Sequence, residues 1–251
     1  HLRASRRRLK NKIKCLLRHD GTTAEDATEM ECMVTTFYKN LFTSEGTMNM
    51  HEVIDVVPRK VTNEMNQRLM SEYNREEIKT ALFQMAPTKA PGSDGFPAHF
   101  FQKNWELCGD EVATIILKIL RGEEDVEELN DTILVLIPKV TNPTLLSQFR
   151  PISLCNVLYK IASKVMANRL KTILPMIISE EQSAFVAGRL ITDNIISAYE
   201  CLNFMKRNRS KRNGFCALKL DMMKAYDRLE WDYLRAIMSK LGFAPAWVNS
   251  V

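Results

Sequence analysis

Asp221 is the residue best suited to metal chemistry, because it directly follows the alternating apolar positions of "FCALKLD" (215–221). A buried strand that ends on an aspartate directs a carboxylate into a cleft, and Mg²⁺ takes oxygen ligands. Two-metal phosphoryl transfer requires such carboxylates, since the metals activate the attacking oxygen and stabilise the leaving one. A turn aspartate or a helix N-cap explains Asp221 without a metal. Asp227 lies where the last predicted helix begins, and N-capping is its best local explanation.

Three further side chains have types that suit a nucleotide. Tyr226 follows Asp221 closely, and a rigid aromatic beside a metal site would form the floor of a sugar pocket. A core position is the alternative for this tyrosine. Lys139 and Arg150 bracket a proline-punctuated turn, where a planar guanidinium and a point charge together suit a polyphosphate. Two ordinary exposed cations are the alternative for this pair.

The elements that must position these residues are mostly helical, which predicts an α+β protein with helix in excess. Thr62 and Asn74 have the types of helix N-caps, and Glu77 completes a capping box with Asn74. The stretch "APTKAPGSDGFP" (86–97) predicts a loop or a seam between domains. Helices are also predicted at 1–18, in the stretch after a turn at Asp20-Gly21, and at 98–121, 156–175, 193–206 and 231–243. The last of these has Trp231 on its apolar face and is closed at Gly242. A buried strand is predicted at 132–139, a second strand at 215–221, and a turn and return over 142–154.

Composition is that of a globular protein, with 45% hydrophobic and 26% charged residues among 251. No apolar run is long enough for a membrane span, and no secretory signal opens the chain. The chain begins at His1, which suggests a fragment or a processed piece. Its six cysteines form no CxxC pair, which favours reduced and mostly buried thiols in an intracellular protein.

Basic residues are concentrated in two short segments. Residues 1–18 contain eight Lys or Arg and no acidic residue, and 206–212 contain five more, within a net charge of +5. Such clusters attract the phosphate backbone of nucleic acids. Solvated helix and loop faces are the alternative.

Four segments, in this order, resemble the reverse transcriptase of LINE-type (non-LTR) retrotransposons, most closely those of plant genomes. They are "KAPGSDGFPAHFFQKNW" (89–105), "LNDTILVLIPKVTNP" (129–143), "FRPISLCNVLYKIASKVMANRLKTILPMIISEEQSAFVAGRLITDNI" (149–195) and "ALKLDMMKAYDRLEWDYL" (217–234). The resemblance implies a right-hand polymerase fold with fingers and an incomplete palm. It divides the chain into a helical region at 1–88, fingers at 89–210 and the start of the palm at 211–251.

The resemblance also implies roles for individual residues. Asp221 matches the first metal-binding aspartate of the palm, and the backbone carbonyl of Met222 matches a ligand beside it. Tyr226 matches the aromatic residue that screens the sugar 2′ position and so favours deoxynucleotides. Lys139 and Arg150 match the fingers cations that hold the incoming triphosphate. The implied cofactor is a pair of Mg²⁺ ions.

Two departures from the family pattern bear on activity. Met223 stands where these elements often have a small polar residue. The family's second aspartate motif, aromatic-Ala-Asp-Asp, should follow the last helix, yet no Asp-Asp pair occurs in the 251 residues, and the upstream endonuclease is also absent. We therefore expect this chain alone to be catalytically inactive or nearly so.

The implied partners are an RNA template, a DNA primer and deoxynucleoside triphosphates, with Arg189 near the template strand and no membrane. The implied location is intracellular, in the nucleus or the cytoplasm. A non-catalytic nucleic-acid-binding remnant is the main alternative, and a decayed product without function is a third. The sequence does not define an oligomeric state.

Overall fold

The computed structural model describes residues 11–18, 20–127, 129–208, 214–222 and 224–251, and most of its regular structure is helical. The helices are α1 (Ala27–Phe42), α2 (Met50–Ile54), α3 (Asn63–Leu69), α4 (Arg75–Phe83), α5 (Ala98–Lys103), α6 (Trp105–Leu120), α7 (Val157–Lys171), α8 (Leu174–Ile177), α9 (Ile191–Arg207), α10 (Trp231–Leu241) and α11 (Pro245–Ser250). The strands form two antiparallel pairs, β1 (Leu16–Leu17) with β2 (Thr23–Ala24) and β3 (Ile133–Pro138) with β4 (Phe149–Leu154). This confirms the predicted helix-rich α+β class.

The chain divides into two compact units, each built from separate stretches of sequence. The first unit extends to Gly46 and resumes at Tyr73–Lys164, and the second contains Thr47–Glu72 and Val165–Val251. The boundaries predicted after residues 88 and 210 separate the helical region, the fingers and the start of the palm, and this division stays a prediction.

The predicted helix starts in the middle of the chain are confirmed by their caps. The Thr62 hydroxyl accepts a hydrogen bond from the Met65 amide at 3.2 Å at the start of α3. Asn74 accepts from the Glu77 amide at 3.0 Å, and the Glu77 carboxylate accepts from the Asn74 amide at 3.2 Å. Each cap satisfies amides that the first helical turn leaves without partners.

A small hairpin replaces the end of the helix predicted for residues 1–18. Leu16 pairs with Ala24, and both side chains are fully buried. The predicted turn at Asp20-Gly21 is present, with Gly21 at φ 84°, a left-handed conformation that favours glycine. The helix prediction is wrong at residues 12–18, none of which is helical. At residues 16–17 the reason is that burying Leu16 against Ala24 requires an extended backbone. Residues 1–10, which contain much of the basic segment, lie outside the described residues.

The predicted strand and return at 132–154 form the hairpin β3–β4. Its register pairs Ile133 with Leu154 and Pro138 with Phe149, over six residue pairs. The Phe149 side chain is fully buried, whereas most of β3 is half-buried rather than buried as predicted. A two-stranded hairpin with one packed face explains this, because the other face remains open to solvent.

The predicted loop at 86–97 packs on Asn156, the residue that precedes α7. The Asn156 side-chain oxygen accepts hydrogen bonds from the Ser93 hydroxyl at 3.2 Å and the Asp94 amide at 3.3 Å. Gly92 lies so close that an added Cβ would come within 2.2 Å of that oxygen. The loop is therefore a fitted element of the first unit, in which glycine is required by close packing.

The second unit has its own apolar core. The core cluster consists of Val61, Leu69, Ile173, Ile177, Met238, Phe243, Trp247 and Val248. Helix α10 contributes Met238 to this cluster and ends at Gly242, which has φ 99° and is the predicted end. Trp231, predicted on the buried face of this helix, is 68% exposed.

A buried arginine helps to tie the two sequence stretches of the second unit together. Arg169 is 8% exposed and donates from Nη1 to the Leu69 carbonyl at 2.8 Å and from Nη2 to the Glu72 carbonyl at 2.9 Å. A third bond goes to the Ser71 carbonyl. The Leu69 carbonyl is one that the end of α3 leaves without a helical partner, and the other two carbonyls belong to the residues that follow this helix.

The strand predicted at 215–221 is absent: residues 214–222 have no regular secondary structure, and their side chains are exposed. Leu218 is 79% exposed and Leu220 is 83% exposed. The prediction is wrong because a strand needs a neighbouring strand for its hydrogen bonds, and no strand in the described part of the chain pairs with this segment. Helix α9, which precedes it, forms as predicted, but none of its side chains is buried and most of its apolar ones are exposed.

The six cysteines are all unpaired and more exposed than predicted. Cys32, Cys201 and Cys216 are exposed, and the other three are half-buried. The expectation of mostly buried thiols is therefore wrong. None of the helices in the described ranges combines the length and apolar character that crossing a membrane requires.

Candidate functional site

Lys139 and Arg150 extend from the same face of the hairpin β3–β4. Arg150 is opposite Ile137, and the ladder continues past β3 with a hydrogen bond from the Lys139 amide to the Gln148 carbonyl at 2.8 Å. Side chains two residues apart on a strand share a face, and directly paired residues do too. Lys139 therefore lies on the face that carries Arg150. Both side chains are exposed.

The Lys139 ammonium is held at the turn of the hairpin. Its Nζ donates to the Ser147 carbonyl at 2.9 Å. This contact leaves an ammonium with further donors for a ligand, because Lys has three N–H groups. The prediction that both cations leave one small element is confirmed by this register, while their role stays a prediction.

Asp221 and the Met222 carbonyl belong to the exposed segment 214–222 of the second unit. No group of three or more His, Cys, Asp or Glu within the described residues is positioned to hold a metal ion. Both groups have the oxygen donors that Mg²⁺ prefers, but one carboxylate and one carbonyl do not make a complete protein site. The described residues therefore do not fit the implied pair of Mg²⁺ ions.

Neither Asp221 nor Asp227 is a helix N-cap. The N-cap residue of α10 is Glu230, and Asp227 lies instead within a 3-10 turn at Tyr226–Arg228. The N-cap interpretation of Asp227 is therefore wrong. Asp221 precedes that turn by several residues and is not at its N-cap, which is Ala225.

Tyr226 is a surface residue, which excludes the core alternative. Its side chain is 78% exposed, and its ring contacts that of Phe185, with centroids 6.3 Å apart and planes at 81°. Sequence reasoning missed Phe185, which is itself 79% exposed. No local pattern indicates this contact, because the two residues are far apart in sequence.

Arg189 organises the loop that carries it. Its guanidinium donates to the main-chain carbonyls of Gln182 at 2.7 Å, Ile178 at 3.2 Å and Pro175 at 3.3 Å, and also to that of Ser179. Sequence reasoning missed this structural use of Arg189. The predicted template contact stays a prediction.

The Glu181 carboxylate interacts chiefly with groups of its own loop. The pKa of Glu181 lies below its usual range, first because its carboxylate accepts from its own main-chain amide and then from the Ser179 hydroxyl. The Arg189 charge contributes less. The carboxylate therefore helps to fix the backbone near Arg189 in its ionised form.

Lys139 and Arg150 belong to the first unit, whereas Arg189, Asp221, Met222 and Tyr226 belong to the second. The register of the hairpin places Lys139 and Arg150 on one element, whereas the four residues of the second unit lie on separate segments: Arg189 on the loop before α9, Asp221 and Met222 in the segment 214–222, and Tyr226 on the 3-10 turn. Of the basic segment 206–212, Lys206 and Arg207 are exposed at the end of α9, and the rest lies outside the described residues except Asn208. Met223 also lies outside them.

Comparison with known proteins identifies the class of domain. Residues 137–251 match the family described as reverse transcriptase (RNA-dependent DNA polymerase). All six predicted site residues fall within this stretch. The chain thus contains part of a reverse transcriptase domain.

Two relatives narrow the class. The chain is 31% identical over 242 residues, which are 96% of its length and 18% of the relative's, to the Transposon TX1 uncharacterized 149 kDa protein of Xenopus laevis. It is 26% identical over 182 residues, 70% of its length and 23% of the relative's, to the Retrovirus-related Pol polyprotein from type-1 retrotransposable element R2 of Popillia japonica. Both relatives are proteins of transposable elements, which agrees with the resemblance to non-LTR, LINE-type retrotransposons. It spans about a fifth of the length of these curated relatives.

Proposed function

We propose that the chain is the fingers and the start of the palm of an RNA-directed DNA polymerase from a LINE-type retrotransposon related to those of plants. The observation that carries the proposal is the family match over residues 137–251. The parent protein would join deoxynucleotides to a DNA primer on an RNA template, inside the cell, in the nucleus or the cytoplasm. Its reaction is attack of the primer 3′-hydroxyl on a deoxynucleoside triphosphate, with release of pyrophosphate.

The hairpin β3–β4 would bind the triphosphate. Lys139 and Arg150 extend from one face and are exposed, so both can reach one polyphosphate. Arg150 offers a planar fork of donors and Lys139 a compact charge, and together they would neutralise charge on the transferred group. Tyr226 would contact the sugar from its exposed position on the 3-10 turn.

Asp221 and the Met222 carbonyl would be metal ligands in the parent protein, and Mg²⁺ would there supply activation of the attacking hydroxyl. The chain itself supplies too few ligands among its described residues for a complete site. We therefore expect the 251-residue chain to bind nucleotide and nucleic acid but to extend a primer little or not at all.

Nucleotide binding tests the role of the hairpin. Equilibrium dialysis with a radiolabelled deoxynucleoside triphosphate should show about a tenfold loss of affinity in Lys139→Ala and in Arg150→Ala, because each removes charge-assisted hydrogen bonds. Lys103→Ala is the matched control, since Lys103 is an exposed lysine of the same unit. Equal affinity in all four proteins would overturn the assignment.

A non-catalytic nucleic-acid-binding remnant is the second candidate, favoured by the absence of a metal-binding cluster among the described residues. Primer extension separates the two. Appreciable extension that Asp221→Ala abolishes would show that this chain is itself an enzyme. Salt-dependent RNA binding without dependence on Lys139 or Arg150 would favour the remnant.

A further inference from the structure

Phe185 is an exposed aromatic residue with a left-handed backbone. Its φ is 65° and its side chain is 79% exposed. A bulky residue in this conformation is a genuine outlier, and it persists only where the surrounding structure determines it. Such outliers are concentrated at functional sites. Core packing does not explain this one, because the ring lies at the surface.

The loop around Phe185 is held from several sides. Ser183 and Val186 are 7% exposed, so the residues near Phe185 turn inward. The Ser183 hydroxyl donates to the Asn194 side-chain oxygen at 2.6 Å. The side-chain nitrogen of Asn194 donates to the Glu181 main-chain carbonyl at 3.1 Å. Together with the bonds from Arg189, these contacts fix the backbone that presents the Phe185 ring.

The Phe185 ring meets the ring of Tyr226. The centroids are 6.3 Å apart and the planes cross at 81°, which is the edge-to-face arrangement that aromatic pairs prefer. Tyr226 is 78% exposed and lies on a single 3-10 turn, so the fixed loop supplies a neighbour against which its ring is oriented.

We propose that Phe185 is a positioning residue for sugar selection, which holds the Tyr226 ring where it excludes the 2′-hydroxyl of a ribonucleotide. Excluding one hydroxyl requires a ring fixed closely, since a surface tyrosine that rotates freely would move aside. The inference rests on the proposed function and adds to it a second residue, supplied by the Arg189 loop.

The test compares nucleotides that differ at the sugar. The 251-residue chain, with Mg²⁺ and an RNA–DNA primer–template, is titrated with 2′-deoxyuridine triphosphate and with uridine triphosphate, and the ratio of the two dissociation constants is measured. Phe185→Ala should lower the preference for the deoxynucleotide about threefold to tenfold, the range expected for loss of an aromatic pair. Tyr226→Ala should lower it further, and the double variant should match Tyr226→Ala alone.

Three variants separate positioning from general structure. Phe185→Tyr keeps the ring and should retain the wild-type ratio. Phe185→Gly also removes the ring, and glycine adopts the positive φ without strain. It should lower the ratio as Phe185→Ala does, and it replaces that variant in the test if the alanine variant folds poorly. Phe204→Ala is the matched control, because Phe204 is 58% exposed in the same unit and pairs with Phe215 at 5.9 Å instead.

The ring contact is measured separately by ¹⁹F NMR on 3-fluorotyrosine-labelled protein, with the Tyr226 signal assigned by Tyr226→Phe. Phe185→Ala should shift this signal and Phe204→Ala should not. If Phe185→Ala shifts the signal but leaves the nucleotide ratio unchanged, the positioning role is overturned. The proposed function still stands in that case, provided that Tyr226→Ala lowers the ratio. An unshifted signal would also overturn it. Failure of the wild-type chain to bind either nucleotide would overturn the proposed function and this role together.

Discussion

The hairpin β3–β4 and the segment 214–222 both carry candidate nucleotide-site residues, but their backbones are stabilised very differently. The hairpin pairs its two strands in a register of six residue pairs, and the Phe149 side chain is fully buried. The segment 214–222 has no ladder, and Leu220 is 83% exposed. An element that completes its hydrogen bonds with its nearest neighbour in sequence can position side chains by itself, whereas a strand that needs a distant partner cannot.

Amide hydrogen exchange should give the largest difference between the two regions. Amides of the hairpin ladder, such as that of Lys139, should exchange about a hundredfold or more slowly than those of residues 214–222, because exposed amides without partners need no opening step. Two-dimensional NMR of the chain in D₂O measures both. Comparable protection in the two regions would mean that the segment 214–222 is paired in solution.

Truncating one apolar side chain in each region should give the next largest effect. Phe149→Ala should lower the free energy of unfolding by about 3–5 kcal/mol, since it removes a fully buried ring. Leu220→Ala should change it by less than about 0.5 kcal/mol, because that side chain is already in water. Urea denaturation followed by circular dichroism checks both variants. A large effect of Leu220→Ala would contradict the comparison.

Two glycines, one in the packed loop at 86–97 and one in the segment 214–222, provide a smaller and more local test. Gly92→Ala should cost about 1–3 kcal/mol, because the new methyl group meets the Asn156 side chain and backbone at under 3 Å. Gly214→Ala has open space around its Cβ and should be close to neutral. Thermal melts compare the two variants. Equal melting temperatures would show that the loop at 86–97 yields freely.

The smallest expected effect concerns pH and the hairpin β1–β2. The pKa of Glu29 is lowered, chiefly because its carboxylate accepts a hydrogen bond from Arg18 at 2.6 Å. Since the folded pKa lies below the unfolded one, this contribution is complete above about pH 4.3, the usual glutamate value, and is lost as pH falls through the folded pKa.

Glu29→Gln should therefore lose slightly less stability than the wild type on acidification, as measured by urea midpoints over that range. Arg18→Gln, which removes the partner, should give the same reduced slope. A wild-type slope in either variant would show that the ion pair contributes nothing, as many exposed pairs do.

Local signals predicted the features that depend on near neighbours in sequence. The caps at Thr62 and Asn74 follow from side chains that bond to their own turn, and the helix end at Gly242 follows from the left-handed backbone that glycine adopts without strain. The Asp20-Gly21 turn follows in the same way. The β3–β4 hairpin also follows, because proline and apolar runs determine where a short antiparallel pair begins and returns.

Features that depend on distant partners were not predicted. The apolar alternation of 215–221 is typical of a strand, but alternation does not provide the strand that must pair with it. Residues 1–18 were predicted as a helix, yet burial of Leu16 against Ala24 selected an extended backbone. The site residue types were predictable from the sequence, whereas the contacts of Arg189 and the ring of Phe185 against Tyr226 come from tertiary structure alone.

The buried side chain of Arg169 has a consequence for the order in which the protein is made. It bonds to the Leu69 carbonyl across 100 residues of sequence. A ribosome adds about 5–20 residues per second, so the end of helix α3 is synthesised about 5–20 seconds before Arg169. During that interval residues 47–72 lack the part of their core that residues 165–251 supply. Nascent chains paused before Arg169 should therefore expose this stretch to chaperones and proteases.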